Sequence, residues 1–234
     1  MFSSRTALSA IWALALSLVW LAGCNRSTST DENATAKDET DASAQADGDK
    51  GGSDEKTDAP LEPRGAYFPT VVLKTSLGEL TVKLDPQAAP RTVNNFLHYV
   101  ENGLYNQTIF HQVDADYVAL GGTYTPELVE RPSRYPIPNA AANGRKNVRG
   151  TIAMARQIDD IDSSTSQFFI NLRDNPNLDH NGDSPEAYGF CVFGEVIEGL
   201  DVLEKIAAVQ VEDKDDFKKL PVETVLIETA YRTR

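Results

Sequence analysis

The chain has 234 residues, 41% of them hydrophobic, and a formal net charge of −13. That length suits one or at most two domains. The acidic balance excludes a general nucleic-acid binder, because affinity for a phosphate backbone depends on clustered Lys and Arg.

The first segment is 1–23. Met1 to Arg5 carries one basic side chain, Ala7 to Leu21 is almost wholly apolar, and Leu21-Ala22-Gly23-Cys24 closes the run. A charged start, an apolar stretch and a small-residue exit describe an export signal. The run is shorter than the roughly 20 residues needed to span a bilayer. Leu-Ala-Gly-Cys resembles the bacterial lipobox, in which the cysteine is lipidated and becomes the first residue of the mature chain. Cys24 is therefore the expected lipid anchor. The expected location is the bacterial cell envelope, membrane-attached and facing the periplasm or outward. Cys191, in Phe190-Cys191-Val192-Phe193, reads as a small buried apolar residue. With Cys24 acylated, no intrachain disulfide can form.

Residues 24–66 form the second segment. Between Asn25 and Ala66 there are 11 acidic and 5 basic residues, and large apolar residues are almost absent. Such a composition cannot bury enough apolar surface to offset the entropy of ordering, so an acidic, disordered tether is expected. Taking the signal's +1 and the tether's −6 from −13 leaves −8 for the rest.

The third segment, 67–234, is large enough for a real core. Val71–Thr75 and Leu80–Leu84 flank Ser76-Leu77-Gly78-Glu79 and read as a hairpin. Pro90 opens a helical pattern, with Val93, Phe96, Leu97 and Val100 on one face and Asn102-Gly103 at its end. Further strands are expected at Thr108–Val113, Tyr117–Leu120, Gly150–Ala155, Gln167–Asn171, Phe190–Ile197 and Val222–Thr229, and a short helix at Leu200–Ala207. Many short strands with two helices suggest a closed barrel or a sandwich, and the pattern alone does not choose.

Three stretches carry a resemblance. They are Ile109-Phe110-His111-Gln112-Val113 with Tyr117-Val118-Ala119-Leu120-Gly121-Gly122; Arg149-Gly150-Thr151-Ile152-Ala153-Met154-Ala155-Arg156 with Ser166-Gln167-Phe168-Phe169-Ile170-Asn171; and Asn177-Leu178-Asp179 with Tyr188 to Val196. In order and spacing they resemble a bacterial cyclophilin, from about Tyr67 to the C-terminus. The resemblance implies a mainly β fold, a closed eight-stranded antiparallel barrel capped by two α-helices, and peptidyl-prolyl cis-trans isomerase activity. It implies proline-containing polypeptides as partners and no cofactor or metal. A monomer is the default.

Rotation about an X–Pro bond needs no nucleophile or metal. It needs an apolar pocket for the ring, groups that hold the flanking backbone, and a donor aimed at the proline nitrogen. Carried over from the family, Phe168 is the expected pocket residue and Gln167 the backbone-binding amide. Tyr117, Val118, Leu178, Asn177 and Phe190 are expected around the pocket, and Ala155 and Arg156 along the substrate chain. Phe110, Met154 and Phe169 are read as core packing, and His111 as a buried, hydrogen-bonded histidine.

Several positions depart from the family pattern. Gln112 stands where the family has the Arg that donates to the proline nitrogen. Leu120 replaces the Gln that braces this Arg. Tyr117 replaces a Phe, Asn177 a Trp or Phe, and Phe190 a His or Tyr. Two readings follow: an isomerase of reduced turnover, with Gln112 or Arg156 as donor, or a module that binds prolyl peptides without turning them over. Competing chemistries are weaker. Asp159–Asp162 and Asp179–Asp183 read as turns rather than metal loops, and His98, His111 and His180 lack a nucleophile-elbow context.

Overall fold

In a computed structural model of the chain, residues 68–233 are described. The expected signal, the tether and Cys24 lie outside them. The hairpin read from the sequence forms β1 (Thr70–Thr75) and β2 (Gly78–Leu84), which alternate apolar residues inward, as Val71 and Leu73 and as Leu80, Val82 and Leu84. Helix α1 (Pro90–Glu101) starts at a proline whose missing N–H would be unpaired there anyway. Its face of Val93, Phe96, Leu97 and Val100 closes one part of the core.

Six more strands complete the barrel: β3 (Thr108–Val113), β4 (Val118–Gly121), β5 (Thr151–Met154), β6 (Phe168–Asn171), β7 (Val192–Glu198) and β10 (Val225–Arg232). Around it the order is β1-β10-β3-β4-β6-β5-β7-β2, closed, with every pairing antiparallel. Closure leaves no free sheet edge. Helix α2 (Leu200–Ala207) buries Val202, Leu203 and Ile206 beside β2. The fold is thus the eight-stranded barrel with two helices.

Two differences from the sequence reading stand out. The last strand lies three residues further along, because its pairing with β1 runs out to Val71 opposite Arg232. Ahead of it, after α2, sits an unexpected hairpin, β8 (Val211–Lys214) and β9 (Phe217–Pro221), outside the barrel and packed on β3. Its sequence is dominated by charges and β8 is fully exposed, so no hydrophobic alternation announces it.

The barrel interior is aromatic at one end. Phe168 is completely buried there, with ring centroids 5.2 Å from Tyr105, 5.6 Å from Phe96 and 6.1 Å from Phe110, all edge-on. Such T-shaped contacts suit the ring quadrupoles. Cys191 is buried and free, beside Thr92.

Candidate active site

The barrel's outer face carries a second, separate apolar cluster. Val118, Ala153, Phe169, Leu178, Phe190 and Val192 form it, with Tyr117, Leu120 and Ala155 packed against its margin. Strand register assembles its centre. Gln112 pairs with Leu120, Leu120 with Phe169, Phe169 with Ala153, and Ala153 with Val192. These five residues make one transverse row over β3, β4, β6, β5 and β7.

This row corrects the expected role of Phe168. Successive strand residues face opposite sides. Gln167 and Phe169 therefore share the outer face, and Phe168 between them must point inward, where its rings contacts place it. The aromatic floor of the outer cluster is Phe169, which the sequence reading had assigned to the core. Phe169 meets Phe190 at 5.6 Å, nearly perpendicular.

Two amides flank this surface. Gln112 and Gln167 are partly buried, and neither side-chain amide has a hydrogen-bond partner among the described residues. The Gln167 carbonyl accepts from the Ala155 N–H at 3.0 Å, which fixes the chain around it. Gln112 lies across from the apolar Leu120, which offers it no polar brace. The rim is completed by Tyr117, whose hydroxyl accepts from the Asn177 amide at 3.2 Å. Burial raises the Tyr117 phenol above its ordinary pKa, with the Asn177 bond acting the other way, so the hydroxyl stays neutral.

Arg156 has another role than donor to a substrate. Four of its five N–H groups go to carbonyls: Nε to Gly189 at 2.9 Å, Nη1 to Gln157 and Ile158 at 2.7 and 3.0 Å, and Nη2 to Pro185. Its guanidinium also lies 5.0 Å from the centre of the Phe190 ring, a cation–π contact. It ties two loops together and holds Phe190 in the cluster. Its side chain is committed before any substrate arrives.

A buried amide network, absent from the sequence reading, holds the remaining wall. Asn147 donates to the carbonyl of Leu178 at 3.0 Å, Asn171 donates to Asn147 and to Thr151 at 3.2 and 2.9 Å, and Asn175 donates to Asn171 and to the Tyr117 carbonyl at 2.8 and 3.0 Å. It fixes Leu178 and Tyr117, from loops far apart in sequence, against β6. Isolated Asn residues give no sequence signal for this; only the fold brings them together.

His111 is buried with its Nδ1 unpaired, which the expected hydrogen bond does not match. Desolvation pushes its pKa down to about 4. Among the described residues no cluster of His, Cys, Asp and Glu could hold a metal ion. In the Asp159–Asp162 stretch, Asp160 and Asp162 instead accept backbone N–H bonds from Asp162 and Asn139.

A family model for cyclophilin-type peptidyl-prolyl cis-trans isomerases matches residues 70–231. The chain belongs to this family. It is 44% identical over 161 residues to the peptidyl-prolyl cis-trans isomerase cyp18 of Streptomyces antibioticus, covering 69% of this chain and 96% of that one. It is 42% identical over 159 residues to isomerase B of Escherichia coli, covering 68% and 96%. Among solved structures, the cyclophilin-type isomerase of Cryptosporidium parvum, crystallised in the presence of the dipeptide Ala-Pro, superposes with a TM-score of 0.61. It shares 22% identity and covers 70% of this chain and 99% of its own. At that identity the likeness concerns the fold. This cyclophilin has its outer apolar cluster and its two partner-free amides on one face of the barrel.

Proposed function

We propose that this cyclophilin isomerises X–Pro bonds with reduced turnover, and that it does so on exported, partly unfolded proteins while anchored to the cell envelope through Cys24. The observation that carries the reading is the row from Gln112 through Leu120 to Phe169, with Gln167 on the same face. The prolyl ring would pack on Phe169, Val118 and Leu178. Gln167 would hold the flanking backbone. The Gln112 amide would donate to the prolyl nitrogen as it pyramidalises and amide resonance is lost. The uncatalysed barrier is ~18–20 kcal/mol, and each 1.36 kcal/mol removed is about tenfold in rate.

Reduced turnover follows from the donor's charge. A hydrogen bond from a charged group is worth about 1.5–3 kcal/mol and a neutral one about 1. Gln112 is neutral, and the nearby Arg156 is occupied by carbonyls. The difference, about 0.5–2 kcal/mol, corresponds to a rate lower by about 2- to 30-fold than an arginine would give. Desolvation and orientation on the apolar cluster still act. The same two facts favour the alternative, a binding module for prolyl peptides.

The test is cis-to-trans isomerisation of a proline tetrapeptide by the parent and by Gln112→Arg, with Leu120→Gln added to brace the new guanidinium. Measurable parent turnover, a rise of about 2- to 30-fold in Gln112→Arg and a further rise in the double variant support the isomerase. A parent that binds the peptide without any turnover supports the binding module. Loss of neither turnover nor binding in Phe169→Ala would sink both.

A further inference from the structure

We infer that the β8–β9 hairpin is a positioning element for the site: Phe217, acting through His111, and Lys219, acting through Asp114, hold the β3 bulge in the conformation that turns Gln112 toward the apolar cluster. The inference rests on Gln112 being the donor.

The bulge is required by burial. Phe110 and Val113 both lie in the barrel core, yet they are three residues apart, an odd spacing that a regular strand would send to opposite faces. The register shows how this is accommodated. Phe110 pairs with Gly121 and Gln112 with Leu120, so two steps on β3 match one on β4, and His111 is the extra residue. A bulge re-aims the side chains beside it. The direction of Gln112 is therefore set by whatever holds His111.

His111 is held between Tyr124 and the hairpin's Phe217. Its ring is edge-on to Tyr124 at 4.8 Å and to Phe217 at 6.3 Å, and Phe217 packs on Tyr124 at 5.0 Å. The imidazole makes no compensating bond at Nδ1, so aromatic packing fixes it in place of hydrogen bonding. The second tie is ionic. Lys219 Nζ pairs with Asp114, the residue directly after β3, and Asp114 accepts the Tyr117 N–H at 2.8 Å through its carbonyl. Lys219 thus reaches the turn that carries Tyr117 as well.

Lys219 also has φ of 50°, a left-handed backbone unfavourable to residues with a Cβ. It is kept there by the Asp213 carboxylate, which accepts its N–H at 3.0 Å. Farther along the same interface a cavity of about 90 Å³, bordered by Ile109, Phe110 and Leu220, separates hairpin from strand. The packing is close at the His111 end and open at the other. A hairpin built only to cover the barrel would not require a strained lysine reaching the site's turn.

The experiment is a double-mutant cycle on the full chain. Phe217→Ala should lower kcat/KM about tenfold with KM unchanged, and Phe217→Leu should restore most of it. In a Gln112→Ala background Phe217→Ala should change nothing further. Lys219→Met should behave like Phe217→Ala, and Lys219→Arg like the parent. Multiplying effects in the double variant would overturn the inference. A readout independent of turnover is the Gln112 side-chain amide in a 15N-glutamine-labelled sample, assigned by its loss in Gln112→Ala. In Phe217→Ala its two protons should collapse toward solvent-averaged shifts while those of Gln167 stay. An unmoved Gln112 amide overturns the inference whatever the turnover. If the amide moves but the parent turns nothing over, the donor reading fails and the positioning role stands.

Discussion

Phe168 and Phe169 are chemically identical neighbours that β6 sends into two environments. Phe168 has no exposure and three aromatic neighbours inside the barrel. Truncation to Ala there removes a ring from a closed core, so Phe168→Ala should cost about 3–5 kcal/mol of stability, read as a lower urea midpoint. Phe169 lies on the outer cluster, where surrounding loops can adjust. Phe169→Ala should cost less in the same titration and abolish binding of a proline tetrapeptide. Larger destabilisation at Phe169, with binding intact, would reverse the two assignments. His111 gives a second prediction at this scale. Its folded pKa is about 4 against an ordinary value of 6.5. Above pH 6.5 the imidazole is neutral folded and unfolded, so it contributes no pH dependence. Between pH 6.5 and 4 the unfolded chain takes up the proton and the native one does not. Stability should therefore fall with pH across that window, by on the order of 3 kcal/mol in all. The slope should vanish from urea unfolding of His111→Gln.

At the scale of elements, the site depends on loops pinned to strands. Gly189, just before Phe190, has φ of 78°, and a Cβ there would come within 2.6 Å of the Asp179–His180 backbone. Its carbonyl accepts from both Asn139 and Arg156. Gly189→Ala should lower stability by about 1–3 kcal/mol and weaken peptide binding together, because Phe190 moves with the turn. Arg156→Lys should fail to substitute for Arg156 in a tetrapeptide-binding titration, since one ammonium cannot serve four carbonyls set around a planar fork. Undiminished binding in that variant would show that the loops hold without it. These elements also mark what the sequence could reveal. Helices α1 and α2 and strand β3 were legible almost to the residue, because apolar periodicity and the Pro90 start write them directly. The inward turn of Phe168 was misread, although strand alternation held the signal for it: Gln167 and a pocket phenylalanine can share a face only at spacing two. The β3 bulge was visible only through the odd spacing of Phe110 and Val113, once both are known to be buried. The Asn147–Asn171–Asn175 network and the charged β8–β9 hairpin carry no local signature. They exist because the closed barrel brings distant segments together.

For the whole molecule, the proposed role requires that an acidic barrel be held near exported proteins. The proposed groups that touch substrate all lie within the described residues 68–233, whose helices include none long and apolar enough to cross a membrane. In the anchoring proposed above, attachment would come from the segment before them, with Cys24 as the chemical handle. A single acyl chain holds only marginally, whereas two or more hold stably. Between Cys24 and Tyr67 lie 42 residues with a net charge of −6. As the tether expected from its composition, this stretch would have a root-mean-square span of about 35 Å, and its charge, like the −8 beyond it, disfavours lying on an anionic lipid surface. The lipid would then set location while the barrel sets chemistry, and the two should separate cleanly. Cys24→Ser, expressed in a bacterial host, should move the protein from the detergent phase to the aqueous phase of an extract. Its kcat/KM on a soluble tetrapeptide should stay within about twofold of the parent, since no group at the site changes and a twofold rate difference is under half a kcal/mol. Partition of Cys24→Ser into detergent as before would remove the lipid anchor from this account. A drop in turnover without a change in partition would mean instead that the N-terminal segment reaches the barrel's outer face.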